Sequence, residues 1–410
     1  MRRRSGLLAL LAVMGPGLLA GLSDDDPAGI TTYSILGAEY GYQLLWVLTL
    51  STAALVVFHE LGARLGVATG QGMMGLIRER FGVRWGAAAL TALLVANVGT
   101  TCAEFAGVAA ATELVGVSRY VSVPVAALLV SALVLKGGFH RIEHILLVLA
   151  TAFGTYIVAG VLAGPDWQAA ATGLVVPSLP GDGDAILVVT AVVGTTLAPW
   201  GLAFLQSYAV DKRLTPQDLR YERVDVVAGA VMTGVIGVFV VVACAATLHV
   251  SGRSVDEAGD AAEALEPLAG DLASVLFGAG LLGAALLAAS ILPLATAYSV
   301  SEAMGREAAL DDDFRDARLF FLTYGVVVVV AVAAVLVPGA QLVPILYLTQ
   351  TLNAILLLPL LGLLYILSRD RRVMGEQRTR TAGAIAQLVT IVLLGVCVLV
   401  LLVSSVARVA

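Results

Sequence analysis

Apolar residues run through this chain in blocks long enough to cross a bilayer, about 20 residues each, separated by short connections rich in charge, Gly or Pro. Reading the chain block by block predicts eleven transmembrane helices, at 6–38, 43–67, 85–112, 121–136, 142–163, 184–210, 224–250, 269–303, 317–338, 341–367 and 382–407. The first, third and eighth are long enough to be broken or strongly tilted. One all-α polytopic membrane domain, residues 1–410, accounts for the chain and leaves no soluble domain to assign.

Composition agrees with the pattern. Of the residues, 59% are hydrophobic and 13% charged, against about 25% charged in a soluble domain, so most of the surface must lie in lipid. The three cysteines, Cys102, Cys244 and Cys397, sit far apart inside apolar blocks and form neither a disulfide framework nor a Cys-x-x-Cys metal motif. The basic start and first apolar block lead into acidic sequence rather than an Ala-x-Ala cleavage site, so a first helix is expected rather than a signal peptide. With the amino terminus cytoplasmic, all of the 24 Lys and Arg except Arg119, Arg253 and Arg408 fall on cytoplasmic segments, as the positive-inside rule requires. An odd number of spans then places the carboxyl terminus outside the cell (inner) membrane. The external connections 164–183 and 251–268 are acidic, carrying Asp166, Asp182, Asp256, Glu257, Asp260, Glu263 and Glu266.

Two predicted helices contain breaks. In the first, Ser23-Asp24-Asp25-Asp26-Pro27-Ala28-Gly29 interrupts apolar sequence. Each carboxylate there costs about 2.5–3.5 kcal/mol at a bilayer-spanning helix centre, and Pro removes a helical hydrogen bond. The helix is expected to unwind and turn carboxylates and carbonyls toward a protein-lined cavity. In the sixth, Val193-Gly194-Thr195-Thr196-Leu197-Ala198-Pro199-Trp200-Gly201 does the same. Each break lies in the first helix of a set of five, the sign of an inverted-repeat transporter whose discontinuous helices build a site at the bilayer midplane. The repeats are read as 6–163 and 184–367, with 382–407 as an added helix.

At these residues the chain resembles the Nramp family of proton-coupled transition-metal transporters. Gly15-Pro16-Gly17-Leu18-Leu19 through Asp26-Pro27 is similar to the family's G-P-G-[FL]-L followed by D-P-G-N. His59-Glu60-Leu61-Gly62-Ala63-Arg64 continuing to Arg78-Glu79-Arg80-Phe81 resembles its second helix and following loop, Ala103-Glu104-Phe105 its third helix, and Thr349-Gln350 through Leu358-Pro359 its tenth. The resemblance implies a LeuT-like fold of ten core helices plus one, with helices 1 and 6 broken. It also implies a metal site made by the Asp and Asn of D-P-G-N, a helix-six Met and backbone carbonyls.

Carried over by position, Asp26 keeps the Asp, but Gly29 replaces the Asn and Ala198 the Met. A thioether favours softer metals, whereas carboxylate, carbonyl and water suit Mg²⁺, Ca²⁺ and Mn²⁺. Smaller side chains at 29 and 198 are expected to widen the site for a partly hydrated ion, since Mg²⁺ sheds water reluctantly. The expected metal group is Asp24, Asp25, Asp26, Gly29, Thr195 and Ala198, with Glu104, Thr101, Trp200, Thr196, Gln350 and Asn353 around it or along the pathway. The departures resemble the Nramp-related magnesium transporters. The family's proton-associated His and Asp become Trp200 and Thr101, so uptake of Mg²⁺, with Mn²⁺ as a second ion, is expected without proton coupling.

Other polar features have blander readings. Gly181-Asp182-Gly183-Asp184 is expected to cap the sixth helix. His59 with Glu60 reads as a buried polar pair bracing helix two, His140 and His144 as solvated, His249 as a helix end. Glu302 reads as interfacial rather than as a gate, Asp311-Asp312-Asp313 as a solvated run, Cys102 as core. The chain is expected to be a carrier and not an enzyme, with no cofactor, the lipid bilayer and a divalent ion as its partners, and neither nucleic acid nor an obligatory protein partner. Two alternatives stand beside Mg²⁺ uptake: a proton-coupled Mn²⁺/Fe²⁺ transporter with a remodelled site, and an amino-acid permease of the same fold. Three adjacent acids would repel a substrate carboxylate and count against the last.

Overall fold

A computed structural model describes residues 15–136, 145, 150–181, 183–255, 271–306, 315–339 and 341–409. Among these, every regular element is helical. The first predicted helix is two half-helices, α1 (Pro16–Ser23) and α2 (Pro27–Tyr40), with Asp24, Asp25 and Asp26 between them. Pro27 does not kink a continuous helix; it opens α2 from the N1 position, where its missing N–H is not needed. Asp26 precedes it as the N-cap, its backbone extended (φ −66°, ψ 169°) and its Oδ1 accepting from Gly29 N at 2.5 Å.

α3 (Leu45–Thr69), α4 (Met73–Phe81), α5 (Val83–Glu113), α6 (Arg119–Lys136), α7 (Gly154–Leu162) and α8 (Trp167–Val175) follow. The second break separates α9 (Gly183–Thr196) from α10 (Pro199–Asp211), with Ala198 extended (φ −72°, ψ 139°) and Pro199 at N1. The break of α1 and α2 is thus repeated in a different sequence. Next come α11 (Leu219–Cys244), closed by a π-helical turn at Ala245–His249, α12 (Asp271–Ala303), α13 (Arg318–Val335), α14 (Leu342–Arg369), α15 (Arg371–Met374) and α16 (Thr381–Val409).

Counting α9 and α10 as one, eight described helices are long and apolar enough to cross a bilayer; α6 and residues 151–162 are shorter apolar helices. Two elements depart from the sequence reading. The loop after helix two contains α4, and the connection 164–183 contains α8, whose N-cap Asp166 accepts from Gln168 N and Ala169 N at 3.0 Å each. Both are nine residues long, below the length at which apolar periodicity stands out. Arg2, Arg3, Arg4, His140, Arg141, His144, Asp182, Asp256, Glu257, Asp260, Glu263, Glu266, Asp311, Asp312 and Asp313 lie outside the described residues.

α1 is held against α11 by backbone contact. A Cβ on Gly17 would lie 2.5 Å from Val226 N, and one on Gly21 2.5 Å from Gly229 C, so only glycine permits the approach. Thr233 Oγ1 donates to Gly21 O at 2.5 Å. Gly15, the N-cap of α1, supplies no side-chain cap, and fully buried Asp225 of α11 takes that role, accepting from Gly15 N at 3.0 Å and Gly17 N at 2.7 Å.

Glu60 bridges Arg64 (3.1 Å) and Arg223 (2.9 Å). Arg64 also donates to Gln377 O (2.9 Å) and Thr379 Oγ1 (3.0 Å). Asp370 caps α15 and pairs with Arg80. The Arg372 N–H, followed by the Arg80 guanidinium, holds its carboxyl below the usual aspartate range.

The cap of α1 makes a stability prediction. Asp225→Ala leaves two buried N–H groups unpaired, each costing about 1–3 kcal/mol, and should lower the melting temperature of the detergent-solubilised protein. Asp225→Asn keeps an accepting oxygen and should lose less. Equal stability of Asp225→Ala and the parent would show that α1 is held by packing alone.

Candidate functional site

The two breaks face each other in the interior and bring the candidate residues into one polar region, but the three adjacent aspartates fan apart. Asp24 turns toward α3, its Oδ2 3.7 Å from His59 Nε2, and toward Gly201 of α10, where a Cβ would lie 3.2 Å from its Oδ1. Asp25 is fully buried, with neither carboxylate oxygen hydrogen-bonded in the protein. Asp26 faces Glu104 of α5 and Gln350 of α14, neither of which closes a hydrogen bond of normal geometry to it. All three carboxyl groups and Glu104 are at most 2% exposed. Asp24, Asp25 and Asp26 therefore do not form one ligand cluster, because unwound backbone rotates successive side chains to different walls. Asp26 alone joins the group built by both breaks.

That group centres on Gly29. A Cβ there would lie 2.8 Å from Thr195 Oγ1, 2.9 Å from Asp24 O and 3.2 Å from Asp26 Oδ1. A hydroxyl, a carbonyl and a carboxylate oxygen thus converge where any side chain at 29 would have to start. The expectation that Gly29 widens the site is corrected on this side, because Thr195 and the Asp24 carbonyl occupy the room. Ala198, buried at the N-cap of α10, offers only a methyl side chain.

The surrounding residues separate by hydrogen bonding. Gln350 Oε1 accepts from Asn353 Nδ2 at 3.0 Å, and the same Nδ2 lies 3.0 Å from Thr100 Oγ1, so Asn353 orients Gln350 and leaves its Nε2 free of protein partners. Thr196 donates to Val192 O (2.8 Å) and contacts Tyr33 OH (3.2 Å). Thr101 donates to Asn97 O (2.7 Å) and is committed to its own helix. Trp200 is fully buried with an unpartnered Nε1.

His59 and Glu60 are not the polar pair read from the sequence: Glu60 joins the arginines described above, and fully buried His59 belongs to the site beside Asp24. The signal is a histidine within a largely apolar 25-residue helix that also carries Glu60 and Arg64, but periodicity alone cannot name its neighbour.

Both oxygens of Asp24, Asp25 and Glu104, Thr195 Oγ1 and both His59 nitrogens lack hydrogen-bond partners in the protein. Among the described residues no Lys or Arg pairs with these carboxyls. Buried charge without a partner is strongly unfavourable, and oxygen donors arranged this way suit a hard cation. Among the described residues no three His, Cys, Asp or Glu side chains form a shell by themselves. An ion here would complete its coordination with hydroxyl and carbonyl oxygen and water.

Two helices broken at facing positions inside an all-helical bundle are the arrangement of the LeuT-like fold. The manganese transporter of Eremococcus coleocola superposes with a TM-score of 0.79 at 20% identity, covering 98% of this chain and 88% of that one. MHP1, a nucleobase-cation-symport-1 family transporter in a closed conformation, gives 0.59 at 15% identity, with 96% and 91% covered. At these identities the likeness concerns the fold. The profile of the family described as natural resistance-associated macrophage protein-like matches residues 17–404. The divalent metal cation transporter MntH of Burkholderia ambifaria is 30% identical over 408 residues, 96% of this chain and 89% of that protein. MntH of Deinococcus radiodurans is 33% identical over 305 residues, covering 70% and 68%. The chain belongs to the Nramp family.

The crowding around Gly29 is testable. Gly29→Asn should lower the melting temperature by forcing Thr195 and the Asp24 carbonyl apart, an overpacking cost of about 1–3 kcal/mol. Adding Thr195→Ala should recover part of the loss. A Gly29→Asn protein as stable as its parent would mean the three oxygens do not converge there.

Proposed function

We propose that this protein carries a divalent metal cation across the membrane, Mg²⁺ with Mn²⁺ as a second ion, through an oxygen-only site centred on Asp26. The observation that carries the reading is the set of buried carboxyls at and beside the first break, which among the described residues pair with no Lys or Arg. Asp26, Thr195 and the carbonyl of Asp24 would meet the ion; Gln350, held by Asn353, would orient Asp26; Glu104 would supply further negative charge. The remaining positions would be filled by water that Mg²⁺ keeps. With Ala198 where the family has a Met, no thioether favours a softer ion.

Coordination by half-helix ends places the ion between two elements that can part on either side, as alternating access requires. The repeats would be 6–163 and 184–367, with 382–407 outside both, and the amino terminus cytoplasmic. With Trp200 and Thr101 unable to carry a proton near neutral pH, entry would be driven by the membrane potential. That potential contributes about 2.3 kcal/mol per charge per 100 mV, and twice that for a divalent ion.

A second reading, proton-coupled Mn²⁺/Fe²⁺ transport, draws on His59 beside Asp24, an ionisable pair able to stand in for the missing helix-six histidine. Proteoliposomes separate the two. Given a metal gradient, an inside-negative potential and an internal pH dye, the parent protein should take up Mg²⁺ and Mn²⁺ without metal-dependent acidification, and Asp26→Ala should carry neither ion. Acidification that accompanies metal entry and disappears in His59→Ala would establish the second reading.

A further inference from the structure

On the face assigned to the cytoplasm, a cavity of about 800 Å³ opens among the ends of α3, α10 and α12 and the start of α4. Glu302, read from the sequence as interfacial, lies in its wall. Its Oε1 accepts from Ser207 Oγ at 2.5 Å and its Oε2 from Met74 N at 3.2 Å. A carboxylate offers about four lone-pair positions, and these two bonds use two of them. Among the described residues Glu302 pairs with no Lys or Arg.

Asp211 lines the same space, its Oδ2 accepting from Tyr298 OH at 2.5 Å. Ser301, 2% exposed, lines it too, and its Oγ has no hydrogen-bond partner. A serine on a helix commonly satisfies its hydroxyl on the carbonyl four residues back, as Ser299 does on Ala295. Ser301 does not, and its oxygen remains free to meet a ligand in the cavity.

The cavity's position relates it to the central site. Ser207 lies nine residues beyond Ala198 on α10, about 13 Å at 1.5 Å per residue. An ion leaving the second break along α10 reaches Glu302 next. We propose that Glu302, Ser301 and Asp211 form a second, weaker station that takes the hydrated divalent cation after it leaves the Asp26 group; the station rests on the transport reading above. Arg78, Arg213 and Arg306 line the same cavity, and their positive charge keeps the station weak. Conduction requires this, because a site on a pathway must release what it binds. Glu302 also ties α4 to α10, so its effect on binding must be separated from its effect on structure. Ser301 makes the separation possible, because removing its unpartnered hydroxyl disturbs neither tie.

The experiment titrates full-length purified protein with Mn²⁺ and reads the free aquo ion by electron paramagnetic resonance. Asp26→Ala should lose the tighter Mn²⁺ and retain one weaker equivalent. Asp26→Ala/Glu302→Gln should lose that as well, and Asp26→Ala/Ser301→Ala should bind it several-fold more weakly at an unchanged melting temperature. Absence of residual binding in Asp26→Ala, or residual binding identical in all three proteins, overturns the station. If Glu302→Gln does not fold, the Ser301→Ala comparison decides. If the parent and Asp26→Ala bind alike, the reading of Asp26 fails, and the station is still judged on whether binding depends on Glu302 and Ser301.

Discussion

A carboxylate taken out of water loses several kcal/mol of solvation unless a cation compensates it, and this protein buries Asp24, Asp25, Asp26 and Glu104 with His59 beside Asp24 and, among the described residues, no Lys or Arg paired with them. Much of the surrounding architecture follows from that constraint. The acids cannot sit on a continuous lipid-facing helix, so the first span stops at Ser23 and restarts at Pro27. Asp26 can cap the restarted helix because the chain there is extended. The second break brings Thr195 against Gly29, and glycine-mediated contact between α1 and α11, with Asp225 capping the buried start of α1, fixes where the acids lie. The interior is thereby committed to a positively charged ligand.

Within that interior the neutral residues divide the work. Asn353 fixes Gln350, and Thr101 and Thr196 are bound to carbonyls of their own helices, so few side chains can change partners when an ion arrives. Those without hydrogen-bond partners in the protein, Thr195 Oγ1 and the carboxylates of Glu104, Asp24 and Asp25, are the ones free to respond. His59 stands apart as a titratable group contacting Asp24 rather than Asp26, so metal binding and any proton movement would use different acids of the same triplet.

Eight apolar spans and both breaks were legible in the sequence because length, charge and Pro carry them: three acids and a Pro inside an apolar block have few structural solutions. The short helices α4 and α8 were not, since nine residues give too few turns for periodicity. The direction of each aspartate was hidden too, because unwound backbone has no fixed period. Gly29 illustrates the limit most clearly. A missing side chain reads as added space, yet Thr195, from the other half of the molecule, fills it. Contacts between residues so distant in sequence, like that of His59 with Asp24, leave no local trace.

The proposed site would hold a hydrated divalent ion through oxygen alone. Electron spin-echo spectroscopy of Mn²⁺ bound to the parent protein in deuterated water counts the exchangeable waters on the ion and reports directly bonded nitrogen. The account predicts more than one retained water and no nitrogen coupling. A fully dehydrated ion, or one bonded to His59, would contradict it.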